Sequence, residues 1–586
     1  MNARTTTAGP AHSPWLILFI VSLPVFIGAL DLTIISAVLP EVIVSLNLPI
    51  KEYLDQASWA VSGYLLAYAI SMTFTGRLSD LVGRRAVYIT CLVIFMIGSY
   101  LVTAYDSALI NGWIARFYNV VLDQRPPRLE ERHLYLVIFG RVIQAFGAGA
   151  MVPVTLALVG DMFPAERRAR PLGVIGAVDT LGWVLGHLSG GVMVRFFGQQ
   201  GDAIVEAAQG IGLSISDPSW ETLFILNIPI SLIALVGAWW VLKDTPRQRT
   251  HSRFDFTGTM LIAVALIGLN VGLGTNAEAA TTATDFEDLA RIGGGPNAVF
   301  LAVGAIAFLL FLWVESRVHA PLVRLGMFRS RNFSAASATN LLVGFCLAIG
   351  LVSAPLLVNF RVDTPTSDQI QQAAYVAGLL LSGLTVPMAL AAIPGGWLSD
   401  RFGYRWPTAV GLLLATLGFV LAGTLWDADT SYWRMGGHMV LIGIGLGLTI
   451  SPISTAALND VHEDERGIAS GLILNLRLVG MTLAISSLTV YSLGRFDELL
   501  ARYQAQEQSD MVQNAVNASL AAAMEVINEM QLIGAAVAAV AVALAALAVV
   551  ARLGRFRAAA DGIARVSGAL LIAFAGALIV DGVRAV

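Results

Sequence analysis

Fourteen apolar runs of about twenty residues punctuate this 586-residue chain. In hydrocarbon every backbone N–H and C=O must find its partner within the segment, so each run can cross only as a helix. Roughly 20 residues at about 1.5 Å each cover a core about 30 Å thick. The runs lie near 14–38, 56–76, 86–104, 134–159, 171–194, 222–242, 256–275, 297–315, 333–358, 373–397, 407–426, 433–455, 467–492 and 530–552. Only 13% of residues are charged and the mean hydropathy is +0.73, against about 25% charged in soluble chains. The expected fold is an all-α integral membrane protein with fourteen transmembrane helices. A shorter stretch, 568–580, lies between Asp561, Arg565, Asp581 and Arg584, and its pattern fits either a crossing or an interfacial helix.

A net charge of −4 offers no basic surface for nucleic acid. Cys91 and Cys346 are too few and too far apart for a disulfide framework or a metal site. The first run follows a short polar segment and no small-residue cleavage site clearly follows the run, so it reads as a span and not a removable signal. Arg84/Arg85, Arg167/Arg168/Arg170, Lys243/Arg247/Arg249/Arg253, Arg324/Arg329/Arg331 and Arg552/Arg555/Arg557 all fall on one side of the fourteen spans. The positive-inside rule makes that side cytoplasmic, with both termini inside, for a multi-pass protein of the inner (cytoplasmic) membrane.

The loop Gly76-Arg77-Leu78-Ser79-Asp80-Leu81-Val82-Gly83-Arg84-Arg85 returns in reduced form as Gly396-Trp397-Leu398-Ser399-Asp400-Arg401-Phe402-Gly403-Tyr404-Arg405. This repeat predicts two pseudo-symmetric six-helix bundles, 14–242 and 333–552, flanking a basic linker and two inserted helices (243–332). Residues 1–13 and 553–586 are then a cytoplasmic N-terminus and tail. Parallel halves of this kind are the build of a secondary transporter that rocks about a central site. Gly76, Asp80, Gly83, Arg84 and Arg85, with Asp400, Gly403 and Arg405, are the expected latch, a carboxylate at a helix end meeting an arginine and a neighbouring helix.

Ionisable residues inside spans are costly and by default functional. Asp31 lies in the first span; Arg141 and Gln144 lie in the fourth, where Asp31 is a candidate partner for the arginine. Protonating the acid would loosen its hold on the arginine, which is what proton coupling requires. Asp179 and Arg477, at similar depth in opposite halves, are placed to pair across a central cavity, with Asn475 beside them in sequence. His187 titrates in the physiological range but on a glycine-rich helix also reads as packing. Gly182, Gly186, Gly190 and Gly191 offer a smooth face to a partner helix.

These motifs together resemble the major facilitator superfamily. The two loops match its signature loop. Leu30-Asp31-Leu32-Thr33, the Arg141/Gln144/Gly147 run and the span-five glycines resemble motifs of its fourteen-helix drug–proton antiporter class, with His187 where that branch usually has proline. Ser58-Trp59-Ala60-Val61-Ser62-Gly63-Tyr64, Arg466-Gly467-Ile468-Ala469-Ser470 and Leu493-Gly494-Arg495-Phe496 are more similar to the mycobacterial lipid and drug exporters that work beside a periplasmic lipoprotein. The resemblance implies coupling roles for Asp31, Asp179 and Arg477, and an extracytoplasmic lipoprotein as partner.

From Arg495 to Gln531 there is neither Gly nor Pro, and strong helix formers dominate. The last two spans are therefore expected to continue as an extracytoplasmic helical hairpin, about 495–530, projecting roughly 20 Å. Residues 105–133 suit an amphipathic helix on the membrane surface, and 196–220 and 275–296 read as polar loops. No phosphate-binding Gly-Lys-Ser/Thr motif is present, and no His has the acidic partner that a membrane transferase would need. The expected function is a proton-coupled exporter of hydrophobic or amphipathic molecules, with no cofactor beyond the proton gradient. A lipid such as triacylglyceride is favoured over the alternative, multidrug/proton antiport of cationic or lipophilic drugs.

Overall fold

A computed structural model describes residues 12–120, 123, 125–210, 218–243, 254–274, 285–287, 289, 297–361, 367–506 and 511–550. The stretch 568–580 and most of the basic linker lie outside them. Among the described residues the regular structure is helical throughout, and twelve helices are long and apolar enough to cross a membrane.

In chain order the α-helices are α1 (Pro14–Ser45), α2 (Ile50–Ala57), α3 (Trp59–Val82), α4 (Arg84–Thr103), α5 (Ala108–Val120), α6 (Leu129–Met162), α7 (Ala169–Gly210) and α8 (Trp220–Val241). They continue as α9 (Phe256–Leu273), α10 (Ala298–Glu315), α11 (Arg331–Phe360), α12 (Ser367–Phe402), α13 (Arg405–Leu425), α14 (Tyr432–Asn459), α15 (Arg466–Gln506) and α16 (Met511–Val550). Caps set several starts: Asp255 accepts from Gly258 N (2.8 Å) ahead of α9, and Asn297 accepts from Val299 N (3.1 Å) ahead of α10. Helices α1, α6, α8, α11, α12 and α14 carry interior prolines, which are more frequent in membrane-crossing helices than in soluble ones.

Helix α6 packs on α3 and α4, α1 on α7, and α8 on α4 and α1. Later in the chain α14 packs on α12 and α13, and α11 and α13 both pack on α16, with α15 against α11. Between these sets the main contacts run along α3–α15 and α7–α12. At the first crossing Gly76 and Gly467 meet backbone to backbone, and a Cβ on either would strike the other's carbonyl oxygen. Helices α9 and α10 pair through Gly268 and Gly304, and α9 also touches α3 and α15.

Two segments differ from the polar loops expected from sequence. Helix α7 continues through Phe196 to Gly210, because 202–209 is rich in Ala, Glu and Gln with no interior glycine, and helix propensity prevails over polarity. In the 275–296 segment Phe286 is buried, its ring 5.2 Å from those of both Phe360 and Phe496. Helix α5 leaves Leu109, Trp113, Phe117 and Val120 exposed, the face of a helix lying on a bilayer surface. Between α15 and α16, Arg495 meets Glu529 (3.0 Å) and Tyr503 donates to Glu525 (2.8 Å).

The Phe286 cluster fastens an otherwise polar connection to α11 and α15. Phe286→Ala should lower stability by about 3 kcal/mol, and Phe286→Leu by much less. Thermal unfolding of the purified protein in detergent checks the difference.

Candidate functional site

Asp31 sits near the middle of α1, 1% exposed, against Arg141 of α6, 0% exposed. One carboxylate oxygen pairs with Arg141 Nη1, and Asn227 of α8 donates to the other (2.8 Å). Arg141 Nη2 also donates to the Asp31 carbonyl (3.0 Å), and Nη1 to Gln144 Oε1 (2.7 Å), whose amide reaches Ser99 Oγ (2.8 Å). The guanidinium lies 3.9 Å from the Tyr64 ring centroid on α3, a cation–π contact strengthened by exclusion of water. Tyr64 in turn donates to the Gly28 carbonyl of α1 (3.2 Å). No buried side-chain nitrogen or oxygen of this pair lacks a partner.

The second pair is built differently. Asp179 of α7 and Arg477 of α15 meet through one contact of 3.3 Å, and Asp179 Oδ1 is buried without a partner. The pair stands between two cavities. One, of about 710 Å³, is lined by Asp179 and Arg477 with Trp183, Leu347, Leu381 and Met388, and is largely apolar. The other, about 380 Å³ on the side of the repeated loops, is lined by the same pair with Asn340, Ser454 and Leu474. Two residues before Arg477, Asn475 donates to the Ala69 carbonyl (2.7 Å) and to Thr73 Oγ1, joining α15 to α3.

The repeated loops close the end opposite the larger cavity. Asp80 accepts from Gly467 N (3.0 Å) and Ile468 N (3.2 Å), so a carboxylate of α3 caps the first turn of α15. Asp400 mirrors it, accepting from Ala169 N (3.0 Å) and Arg170 N (3.1 Å) at the start of α7. Each acid satisfies orphan amides and faces the positive end of a helix dipole. Gly83 and Gly403 take positive φ, +109° and +79°, which makes the tight turn after each acid. Arg84 pairs with Asp80 and, through Nε, with Asp161 (3.1 Å), which also holds Arg466 (3.0 Å).

The structure keeps Arg85 and Arg405 out of these acid clusters. Arg85 donates to the Trp239 carbonyl (3.2 Å) and lies over that ring, while Arg405 donates to Asn332 Oδ1 (3.2 Å). Gly182 and Gly186 meet α1 at Phe26, Leu30 and Thr33; the side chain of His187 and the packing of Gly190 and Gly191 lie outside the described residues. Asn227, Asp161 and Arg466 are central, yet sequence reading gave them no such role. An amide inside the apolar run 222–242 marks Asn227. A second repeat, Asp161-x4-Glu166-Arg167 against Asp460-x4-Glu465-Arg466, would have found the others.

An uncompensated arginine is the consequence of removing Asp31. Asp31→Asn should cost about 3–5 kcal/mol, whereas Asp31→Asn with Arg141→Gln should cost clearly less than the two single changes added together. A double-mutant cycle on thermal unfolding measures the coupling, and strict additivity would contradict it.

The family model of the Major Facilitator Superfamily matches residues 21–485. Over 496 residues the chain is 31% identical to the Triacylglyceride transporter of Mycobacteroides abscessus, covering 83% of this chain and 84% of that one. A protein of the same name from Mycolicibacterium smegmatis is 30% identical over 499 residues, 83% and 78% of the two chains. In fold the chain is similar to the human organic anion transporter MFSD10, with a TM-score of 0.52 at 14% identity over 90% of this chain and 100% of that one. On the matched 465-residue stretch and these two relatives, the chain belongs to the Major Facilitator Superfamily and is a multi-pass membrane transporter.

Proposed function

We propose that this transporter exports a neutral lipid of the triacylglyceride class across the cytoplasmic membrane, driven by protons entering through Asp179 and Asp31. One observation carries the reading: the Asp179–Arg477 pair stands between a large, mostly apolar cavity and a smaller chamber towards the latch. Apolar walls suit acyl chains, and the names of the mycobacterial relatives support that substrate.

In the proposed arrangement α3 and α7 cross the membrane along with the twelve helices that qualify by length and composition, giving fourteen spans. Residues 14–242 and 333–552 form the two six-helix bundles, 243–332 carries the insert, and both termini are cytoplasmic. The latch then lies on the cytoplasmic side and is closed. Loading a proton on Asp179 neutralises one member of a pair held by a single contact, and Arg477 is released from α7. As α15 shifts, Asn475 pulls on α3, and Asp80 gives up the amides of Gly467 and Ile468. Asp31 acts through Arg141, whose grip on the Tyr64 ring passes its charge state to the same helix α3. On the outer side, the paired ends of α15 and α16 would guide the lipid away or receive an extracytoplasmic lipoprotein.

Reconstituted protein under an imposed pH gradient should move a fluorescent triacylglyceride, and Asp179→Asn and Asp31→Asn should each reduce gradient-driven movement to background. Ethidium in place of the lipid tests the drug reading: transport of the dye alone would assign a multidrug antiporter instead. Full activity in both variants would remove proton coupling through these acids.

A further inference from the structure

Two buried carboxylates take no part in the pathway above. Asp255 uses Oδ1 to cap α9 at Gly258 N (2.8 Å). Glu315, the last residue of α10, turns Oε2 back to accept from Val323 N (3.2 Å) in the segment leading to α11. The remaining oxygens, Asp255 Oδ2 and Glu315 Oε1, are sealed from water and have no donor among the described residues. Both converge on the spot that a Cβ on Gly258 would occupy, at 2.6 and 2.5 Å. The residues are 9% and 4% exposed, and both orphan oxygens border the one gap that the glycine leaves.

Two arginines among the described residues near them have partners of their own. Arg77 of α3 acts on Glu315 electrostatically, while its Nη1 donates to the Asp464 carbonyl (3.1 Å). Arg324, beside Val323, is paired with Glu465 (2.9 Å) and Asp464 (3.6 Å). Two facing carboxylates out of water do not both stay ionised without a positive charge between them. A hard metal cation takes about six or more oxygens, whereas one proton lets either carboxyl donate to the other.

We propose that Asp255 and Glu315 form a proton-binding site, separate from Asp31 and Asp179, that ties the inserted helix pair to the latch. The tie runs from Glu315 to Val323 and Arg324, on to Asp464 and Glu465, and so to α15, whose first amides Asp80 caps. Loss of the proton sets two negative charges against each other and pushes the 322–324 segment away from α9.

The sign of the pH effect follows. At neutral pH the native pair holds one proton that the unfolded chain, with exposed carboxyls titrating near about 4, has released. That stability is fully present below about pH 4 and declines as pH rises from there to the point where the native pair releases its proton; across that window the unfolding constant changes about tenfold per pH unit, and above it the change levels off. Full-length protein in detergent should therefore show a melting midpoint that falls with rising pH, and Glu315→Gln and Asp255→Asn should each flatten the fall. Asn caps a helix as well as Asp does, and Gln keeps an acceptor for Val323, so both variants should fold. The infrared carbonyl stretch of a protonated carboxyl should be present in the wild type at neutral pH and weaker in each variant. Slopes and infrared bands that coincide in all three proteins overturn the site. So does a wild-type midpoint at high pH that sodium, magnesium or calcium restores while both variants ignore it, because the occupant is then a metal cation. Since neither variant touches Asp31 or Asp179, these readouts stand whether or not transport proves proton-driven.

Discussion

Two arginines within the helical core, Arg141 sealed from water and Arg477 on the wall of two cavities, organise this molecule, because a guanidinium cannot shed its charge and must be neutralised where it stands. Arg141 draws α1, α3, α6 and α8 around itself: Asp31 and its carbonyl, the Tyr64 ring, Gln144 and, through Asp31, Asn227. Arg477 draws α7 and α15 together across the main seam of the fold. Close packing around the first pair follows from the need to leave no polar direction unmet. The glycines of α7 serve the same end, since only residues without a Cβ let α1 come near enough for Thr33 to donate to the Trp183 carbonyl (3.0 Å).

The latch applies the same economy to helix ends. A helix that starts within protein leaves amides without partners, and here each of two such starts is capped by an acid from across a seam, Asp80 over α15 and Asp400 over α7. The mirrored use accounts for two of the six positions that the loop and its reduced copy share, the acid and the glycine at positive φ. Tyr404 replaces the arginine that in the first copy binds Asp161, and the second acid is held by backbone amides without an arginine. The two latches therefore differ in strength, and the one at Asp80, with its Arg84–Asp161–Arg466 chain, is the more charged.

Helical class, the candidate spans and the family were legible because length and hydropathy are local properties and the repeated loop is short and specific. Asp31 and Arg141 were legible as a candidate pair because each is an ionisable residue in an apolar run, and Asp179 with Arg477 because their depths match. Asn227 was not, since a neutral amide costs less in a span and draws less notice. The capping of α15 by Asp80 joins positions 387 apart, and no pattern within one loop specifies that partner. Extension of α7 was hidden by polarity that reads as loop until propensity is weighed, and Phe286 by the glycine- and alanine-rich stretch around it.

The two ion pairs are unequal, and the inequality assigns them different parts in the proposed cycle. Asp31 has both oxygens and its carbonyl engaged, so removing its charge disturbs a saturated network that has few other ways to close. Asp179 keeps one oxygen unmet and borders open space on both sides, so little holds its pair in one geometry and water has room to reach it. A switch needs a small gap between its two states, and the weaker pair supplies that. Helix α3 is what both share, touched by Arg141 at Tyr64, by Asn475 at Ala69 and ending in the Asp80 cap. A change at either pair that moves α3 reaches the latch through one rigid rod, and for that reason the acid furthest from the cavity need not touch the substrate to influence which end is open.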